Sequence, residues 1–578
     1  MTGLSLPSHP DEATFTQVLE SSYRECPQAA CIYLLQNRQP DLTITYRDLL
    51  HGAAGYAAAL EESGIQPGEV VILLLQHSLD LIYAFFGAVL HGAIPSVMPF
   101  LTEKLSPEHY RRSLSALFEI TQPAAAITYP DFVQEVIAVQ SDLGSASPLR
   151  ALLVSEDVQP APNLDFNRLA GNSRSAQDIV LLQHSSGTTG LQKGVALSHQ
   201  AVFNQIQAYS QTLRLKSQDV IVSWLPLYHD MGLIAGFLLP VLTHVPLVLL
   251  SPFDWVRAPY RLFQAISTYR GTLTWLPNFA YNFCAQKIRD RDLEGVDLSS
   301  WRAVINCSEP MHWKSHQTFL ERFQVYGLSP LALATCYAMA ENVFAVTQGG
   351  LEGPVREDLI DAPGLLEEQV ARPAQDLASS VRLLSAGKPL PNVHLRVLDS
   401  SGQDLPERWI GEIALQSDCM LSGYYHRPDV TKQAFLDGWY LTGDLGYLAD
   451  GELYITGRKK DLIIVGGKNV YPQDIERLVN EVEGVHPGRV VAFGVFNEDS
   501  GTEDVVVVAE AEFEPQGEPQ ATAALANEIR RRVTTGSDVA LRYVQIVPRN
   551  WLIKTSSGKI ARGANKERYL TSIQDKKA

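Results

Sequence analysis

The feature that most restricts the fold is a repeated alternation of short apolar runs with helical segments. Residues 68–75, GEVVILLL, are almost wholly apolar, the pattern of a strand buried on both faces. Residues 79–91 follow with helical spacing, and residues 93–98 form another apolar run. Strand, helix, strand in that order argues for a mostly parallel sheet covered by helices. Residues 43–50 (TITYRDLL) predict a short strand turning into a helix, and 53–62 an alanine-rich helix. Residues 122–128 and 151–155 predict further strands, 11–20 a helical start, and the polar stretch 156–177 an approach loop. At 578 residues the chain is too long for one compact core, so several domains are expected.

Composition removes some classes. A net charge of −17 argues against a nucleic-acid binder, whose affinity comes largely from Lys and Arg on phosphates. The apolar stretches 82–100 and 232–253 each contain proline and histidine. Both predict a helix followed by a strand, and no transmembrane segment is expected. The start of the chain carries acids and lacks an apolar core, unlike a signal peptide. Six scattered cysteines form no C-x-x-C pair, so neither a zinc site nor a disulfide framework is read, and a reducing, cytoplasmic setting is expected.

Residues 183–199, QHSSGTTGLQKGVALSH, hold the clearest chemical signal. Ser185, Ser186, Gly187, Thr188, Thr189 and Gly190 follow an apolar run at 179–182, and Lys193 comes next. Such a loop can wrap N–H groups and hydroxyls around phosphate oxygens, with the lysine as counter-charge. A flexible surface loop has the same composition. It is not a Walker A loop, because Gln192 stands where the second glycine of that pattern belongs. A second signal is TCYAMAEN at 335–342. There the ring of Tyr337 can cover a base, and Glu341 can hold Mg²⁺, which prefers oxygen ligands. A core tyrosine beside a solvated glutamate reads equally well.

SSGTTGLQKG resembles the phosphate loop of the adenylate-forming enzymes: acyl-CoA synthetases, luciferases, peptide-synthetase adenylation domains and fatty acyl-AMP ligases. The resemblance runs from about Thr43 to Lys559. SWLPLYHDMGL, PNFAY, DLSSWR and DLIIVGGKNVYPQDIE draw it toward the fatty acyl-AMP ligase branch. It implies an α/β fold: a large N-terminal domain of layered α/β subdomains with a small β-rich subdomain, and a small mobile C-terminal α/β domain. The boundaries expected are 1–460 and 461–578, with the hinge at Lys460. The activity implied is ATP- and Mg²⁺-dependent conversion of a fatty acid to acyl-AMP. Transfer to the phosphopantetheine thiol of an acyl carrier protein would follow, as in polyketide or lipopeptide assembly.

The resemblance also implies roles for residues. Ser308 and Glu309, in NCSEP, lie against the adenine edge with Tyr337 and Ala338. Asp444 accepts the ribose hydroxyls, and Arg458 meets ribose or phosphate. His229, after a strand's carboxyl end, borders the acyl-substrate pocket. The aromatic PNFAYNF, with Asn278 and Phe279, reads as core packing or as an apolar wall for a fatty chain. Lys559, in KTSSGKIAR, contacts the carboxylate and ribose oxygen during adenylation. The catalytic set is therefore Lys559, Glu341 and Lys193. Ala340 replaces a usual threonine, removing a hydrogen bond of roughly 0.5–1.5 kcal/mol, and this too resembles the fatty acyl-AMP ligase branch. Residues 351–380, acidic and without a clean strand pattern, are read as the insertion that in that branch restrains the C-terminal domain and disfavours free CoA. The run Arg530–Arg532 reads as a solvated helix face or a patch for an acidic carrier.

Overall fold

The computed structural model describes residues 12–37, 39–100, 107–144, 147–185, 193–376, 380–465, 468–497, 502–537, 539, 541–555 and 558–577. Among these, the apolar strand Val70–Leu74 is buried along its whole length. It lies between the parallel neighbours Ile94–Val97 and Ala125–Thr128. Ile179–Ser185 and Ala151–Val154 extend this parallel sheet on either side. The helix Leu79–His91 spans the predicted residues, and Tyr46–Glu62 starts at Thr45 with a reciprocal Thr45–Asp48 cap.

A second sheet runs through Leu333–Ala338, Ala303–Asn306, Leu273–Leu276, Ile221–Ser223, Leu247–Leu250 and Ala30–Leu35 in that spatial order, all parallel. Antiparallel strands close both its edges. An antiparallel sheet follows, built from Val393–Leu398, Gly411–Ser417, Trp439–Ala449 and Glu452–Arg458. The last part of the chain has its own core, in which Ile475, Leu478, Val479, Val507 and Ile529 pack together. Helices Pro472–Asn480 and Pro519–Gly536 contribute to it alongside the sheet Val485–Asn497, Thr502–Ala511 and Tyr543–Val547. This is the layered α/β architecture with a β-rich unit and a small α/β unit.

No helix among the described residues is long and apolar enough to cross a membrane. Residues 232–253 divide as expected, except that Met231–Leu238 winds as a π-helix before Leu239–Thr243 and the strand Leu247–Leu250. Arg531 and Arg532 pair with Glu528 and Glu481.

The segment 351–380 departs from the expected lack of strand. Glu357–Asp361 pairs antiparallel with Ser380–Leu384, and Gly364–Glu368 forms a π-turn between them. The inward positions of the first strand are Asp358 and Ile360, so a charge interrupts the apolar alternation. Asp358 is nonetheless satisfied, by Arg408 at 3.0 Å and by the Tyr447 hydroxyl at 2.8 Å.

Candidate active site

The site lies where strands of the sheets end. Ser185 closes the strand Ile179–Ser185 opposite Lys193, so the Gly/Ser/Thr loop joins the two arms of an antiparallel hairpin. Ser186, Gly187, Thr188, Thr189 and Gly190, and the side chain of Ser185, lie outside the described residues. The Lys193 ammonium sits 4.7 Å from the centre of the Tyr424 ring. The Tyr424 hydroxyl donates to Glu341 Oε1 at 2.8 Å and lies 2.9 Å from the Tyr440 hydroxyl. Glu341 is held on the short turn Ala340–Asn342, which follows the strand Leu333–Ala338.

A second group gathers around Asp444. The Tyr337 hydroxyl donates to Asp444 Oδ2 at 2.6 Å, and Arg458 Nε pairs with Oδ1 at 3.0 Å. Asp444 and Arg458 face each other across the strands Trp439–Ala449 and Glu452–Arg458. Asp444 raises the Arg458 pKa further, and burial, then Asp444, pushes the Tyr337 phenol well up. Tyr337 therefore stays a neutral donor. Ala338 ends the same strand as Tyr337.

His229 and Asp230 follow the strand Ile221–Ser223, in a turn so tight that a Cβ on Gly232 would lie 2.2 Å from the Pro226 carbonyl oxygen. Among the described residues His229 Nε2 is buried without a hydrogen-bond partner. Burial, then the nearby charge of Lys559, lowers the His229 pKa to about 3. Burial raises the Asp230 pKa, Lys559 opposes it and Glu341 adds to it. The charge of Lys559, from the last part of the chain, thus acts on both His229 and Asp230. Lys559 sits on a loop closed by Thr555 N–H to its own carbonyl at 2.7 Å and by the bridge between Lys554 and Ile560. Gly558 precedes it at φ +82, a left-handed conformation that favours glycine. Arg562 fixes the far end of the loop, pairing with Asp461 and with Glu476 at 2.7 Å each. Lys460 lies beside Asp461, on the turn Lys459–Asp461, whose Lys459 pairs with Glu412 at 2.7 Å.

The remaining expected residues have structural partners. Ser308 has φ +71, and its hydroxyl lies 3.7 Å from the Met231 sulfur. Glu309 accepts the Phe279 N–H at 2.9 Å, capping the helix Asn278–Lys287. The Asn278 amide accepts from Asn306 at 3.0 Å and donates to Ser315 at 3.2 Å, so it belongs to a buried polar network. Phe279 is 37% exposed and sets its edge toward the stacked pair Trp224 and Trp255. Tyr424, Tyr440 and Asp230 join the site without belonging to either of the two clearest sequence signals. Asp230 had a signal beside His229, whereas Tyr424 lay in GYYHRPD, which reads only as a turn.

Lys193 and Glu341 are thus joined through Tyr424, Arg458 and Tyr337 meet at Asp444, and the Lys559 charge acts on His229 and Asp230. Among the described residues no group of three His, Cys, Asp or Glu side chains could hold a metal ion alone. With Oε1 engaged by Tyr424, Glu341 offers one further oxygen. A single carboxylate completed by substrate phosphates and water is a donor set that fits Mg²⁺.

Against known proteins, the AMP-binding enzyme family profile matches residues 19–425. A Caulobacter vibrioides protein provisionally named an acyl-CoA synthetase is 32% identical over 535 residues, covering 91% of this chain and 90% of that protein. The medium-chain-fatty-acid–[acyl-carrier-protein] ligase JamA of Moorena producens is 30% identical over 590 residues, covering 98% of this chain and 97% of JamA. A structure solved in studies of fatty acyl-adenylate ligases from E. coli and L. pneumophila superposes with a TM-score of 0.87 at 28% identity, over 98% of this chain and 99% of that one.

Proposed function

The chain belongs to the AMP-binding enzyme family, and from that premise we propose that it activates a fatty or related carboxylic acid with ATP. One carboxylate oxygen attacks the α-phosphorus. The bond from that phosphorus to the β-phosphate oxygen breaks, pyrophosphate leaves with the electron pair, and acyl-AMP results. Two anions must meet, so catalysis is chiefly alignment and charge neutralisation.

Lys193 and the 185–190 loop hold the departing phosphates. Tyr337, Ala338, Ser308, Glu309, Asp444 and Arg458 hold the nucleoside. Glu341 holds Mg²⁺, which when bound screens the phosphate oxygens. Lys559 brings the carboxylate and the α-phosphate together, while His229 and Phe279 border the acyl group. The observation that carries this reading is the linked geometry of the site: Tyr424 joins Lys193 to Glu341, and Tyr337 and Arg458 both bond Asp444.

In the second half-reaction a thiolate sulfur attacks the acyl carbonyl and AMP leaves. For this the unit 461–578 swings about Lys460 and withdraws Lys559. The acceptor proposed is the phosphopantetheine thiol of an acyl carrier protein, and similarity to JamA supports it. The insertion supports it too: Ile360, Leu365 and Ala371 share a core with Tyr471 and Leu462, which lie just beyond the hinge. Similarity to the Caulobacter protein favours a second reading, an acyl-CoA synthetase. Supplying CoA or holo carrier protein with the same acid separates the two. Thioester on the carrier alone is the expected result, and acyl-CoA at an equal rate would reverse the assignment.

A further inference from the structure

Lys193 and Glu341 come from different sheets, and one segment ties them together. Ser422 N–H donates to the Ala196 carbonyl at 2.9 Å and Tyr425 N–H to the Gly194 carbonyl at 2.8 Å, both on the strand that begins with Lys193. From the same segment, Leu421 N–H donates to the Glu341 carbonyl at 2.9 Å. The Tyr424 side chain repeats this connection, with Lys193 on its ring face and Glu341 on its hydroxyl. The side chain has little freedom to do otherwise. Tyr424 is 6% exposed, its N–H donates to Thr431 Oγ1 at 2.8 Å, and its hydroxyl meets Tyr440.

We propose that Tyr424 is a positioning residue for adenylation, setting the Lys193 cation and the Glu341 carboxylate in register so that one triphosphate with its Mg²⁺ meets both. The inference rests on the function proposed above. A ring face attracts an ammonium through its quadrupole, which gives Lys193 one direction before any phosphate arrives. A hydrogen bond to Oε1 orients the carboxylate and leaves Oε2 for the cation, as partners behind a metal ligand commonly do. The two contacts are separable, because one uses the hydroxyl and the other the π face.

The test is equilibrium binding of α,β-methylene-ATP to the full chain across a Mg²⁺ series, read by calorimetry beside acid-dependent pyrophosphate exchange. Tyr424→Phe keeps the ring and loses the hydroxyl. The Mg²⁺ concentration for half-maximal analogue binding should rise roughly tenfold, with Mg²⁺-free affinity unchanged. Tyr424→pentafluorophenylalanine keeps the shape and reverses the quadrupole, so Mg²⁺-free affinity should fall several-fold as well. Wild-type Mg²⁺ dependence in Tyr424→Phe overturns the carboxylate half. Equal Mg²⁺-free affinity in the two variants overturns the lysine half. Absence of pyrophosphate exchange with the unaltered protein sinks the functional reading instead, which keeps the two failures apart.

Discussion

At the scale of single residues the site depends on charges whose partners are few and specific. Arg562 is the clearest case. Its guanidinium bridges Asp461 and Glu476 and donates to the Ala492 carbonyl at 2.9 Å. Arg562→Ala leaves two carboxylates facing each other with little solvent, which by analogy with broken buried pairs costs about 3–5 kcal/mol. Denaturant unfolding should show that loss, and an unchanged midpoint would refute it. His229 supports a second prediction. Its depressed pKa, about 3, keeps the ring neutral at physiological pH. Adenylation should therefore show no acid limb near pH 6–7 that belongs to this ring, and His229→Asn should alter KM for the acid without reshaping the pH profile. Loss of an acid limb in that variant would contradict this. The members of the Asp444 cluster were legible one by one, each within a recognisable phrase. Their mutual bonds were not, because Tyr337 and Asp444 stand 107 positions apart. Tyr424 was illegible for the same reason: a tyrosine in a turn carries no pattern until the fold brings Lys193 and Glu341 to it.

At the scale of elements, the buried strands could be read because each is a short apolar run with a helix behind it. Val70–Leu74, wholly apolar, is buried throughout, as are Ile94–Val97 and Leu273–Leu276, where only Ser96 and Thr274 interrupt the apolar run. The strand Glu357–Asp361 escaped because its inward Asp358 is satisfied by residues about 50 and 90 positions away, Arg408 and Tyr447, and local sequence holds no trace of that compensation. The π-helix at Met231–Leu238 escaped because apolar periodicity does not tell it from an α-helix. The segment 351–380 bears on the proposed choice of thiol. Its Leu365 and Ile360 pack with Tyr471 and Leu462, a contact that tethers the start of the last unit. Replacing residues 362–375 with a short Gly/Ser loop should raise acyl-CoA formation relative to carrier loading by about tenfold, if the tether contributes about 1.4 kcal/mol against rotation. An unaltered ratio of the two products, measured chromatographically, would remove the insertion from the account.

At the scale of the molecule, two properties follow from how the parts are assembled. The first is stability toward acid. Burial lowers the pKa of His77, His184, His199, His312 and His316 to about 4 and that of His229 to about 3. An unfolded imidazole titrates near 6.5. Below that value the unfolded chain binds more protons than the folded one, so stability is complete above about pH 6.5 and declines as the pH falls toward 4. Calorimetric Tm should drop steeply across that window, and a flat profile would contradict the burial of these rings. The second property is the proximity of Lys559, in the last part of the chain, to His229 and Asp230, on both of which its charge acts. Everything proposed about catalysis depends on that cation serving the union of carboxylate and α-phosphate. Hydroxylamine trapping of acyl-AMP, run with ATP and fatty acids of graded length, tests it most directly when Lys559→Ala is compared with the unaltered protein. The account predicts ATP- and acid-dependent hydroxamate that falls by about 100-fold or more in the variant, with ATP affinity largely preserved. Equal hydroxamate from both proteins, or none from either with any acid, would contradict it.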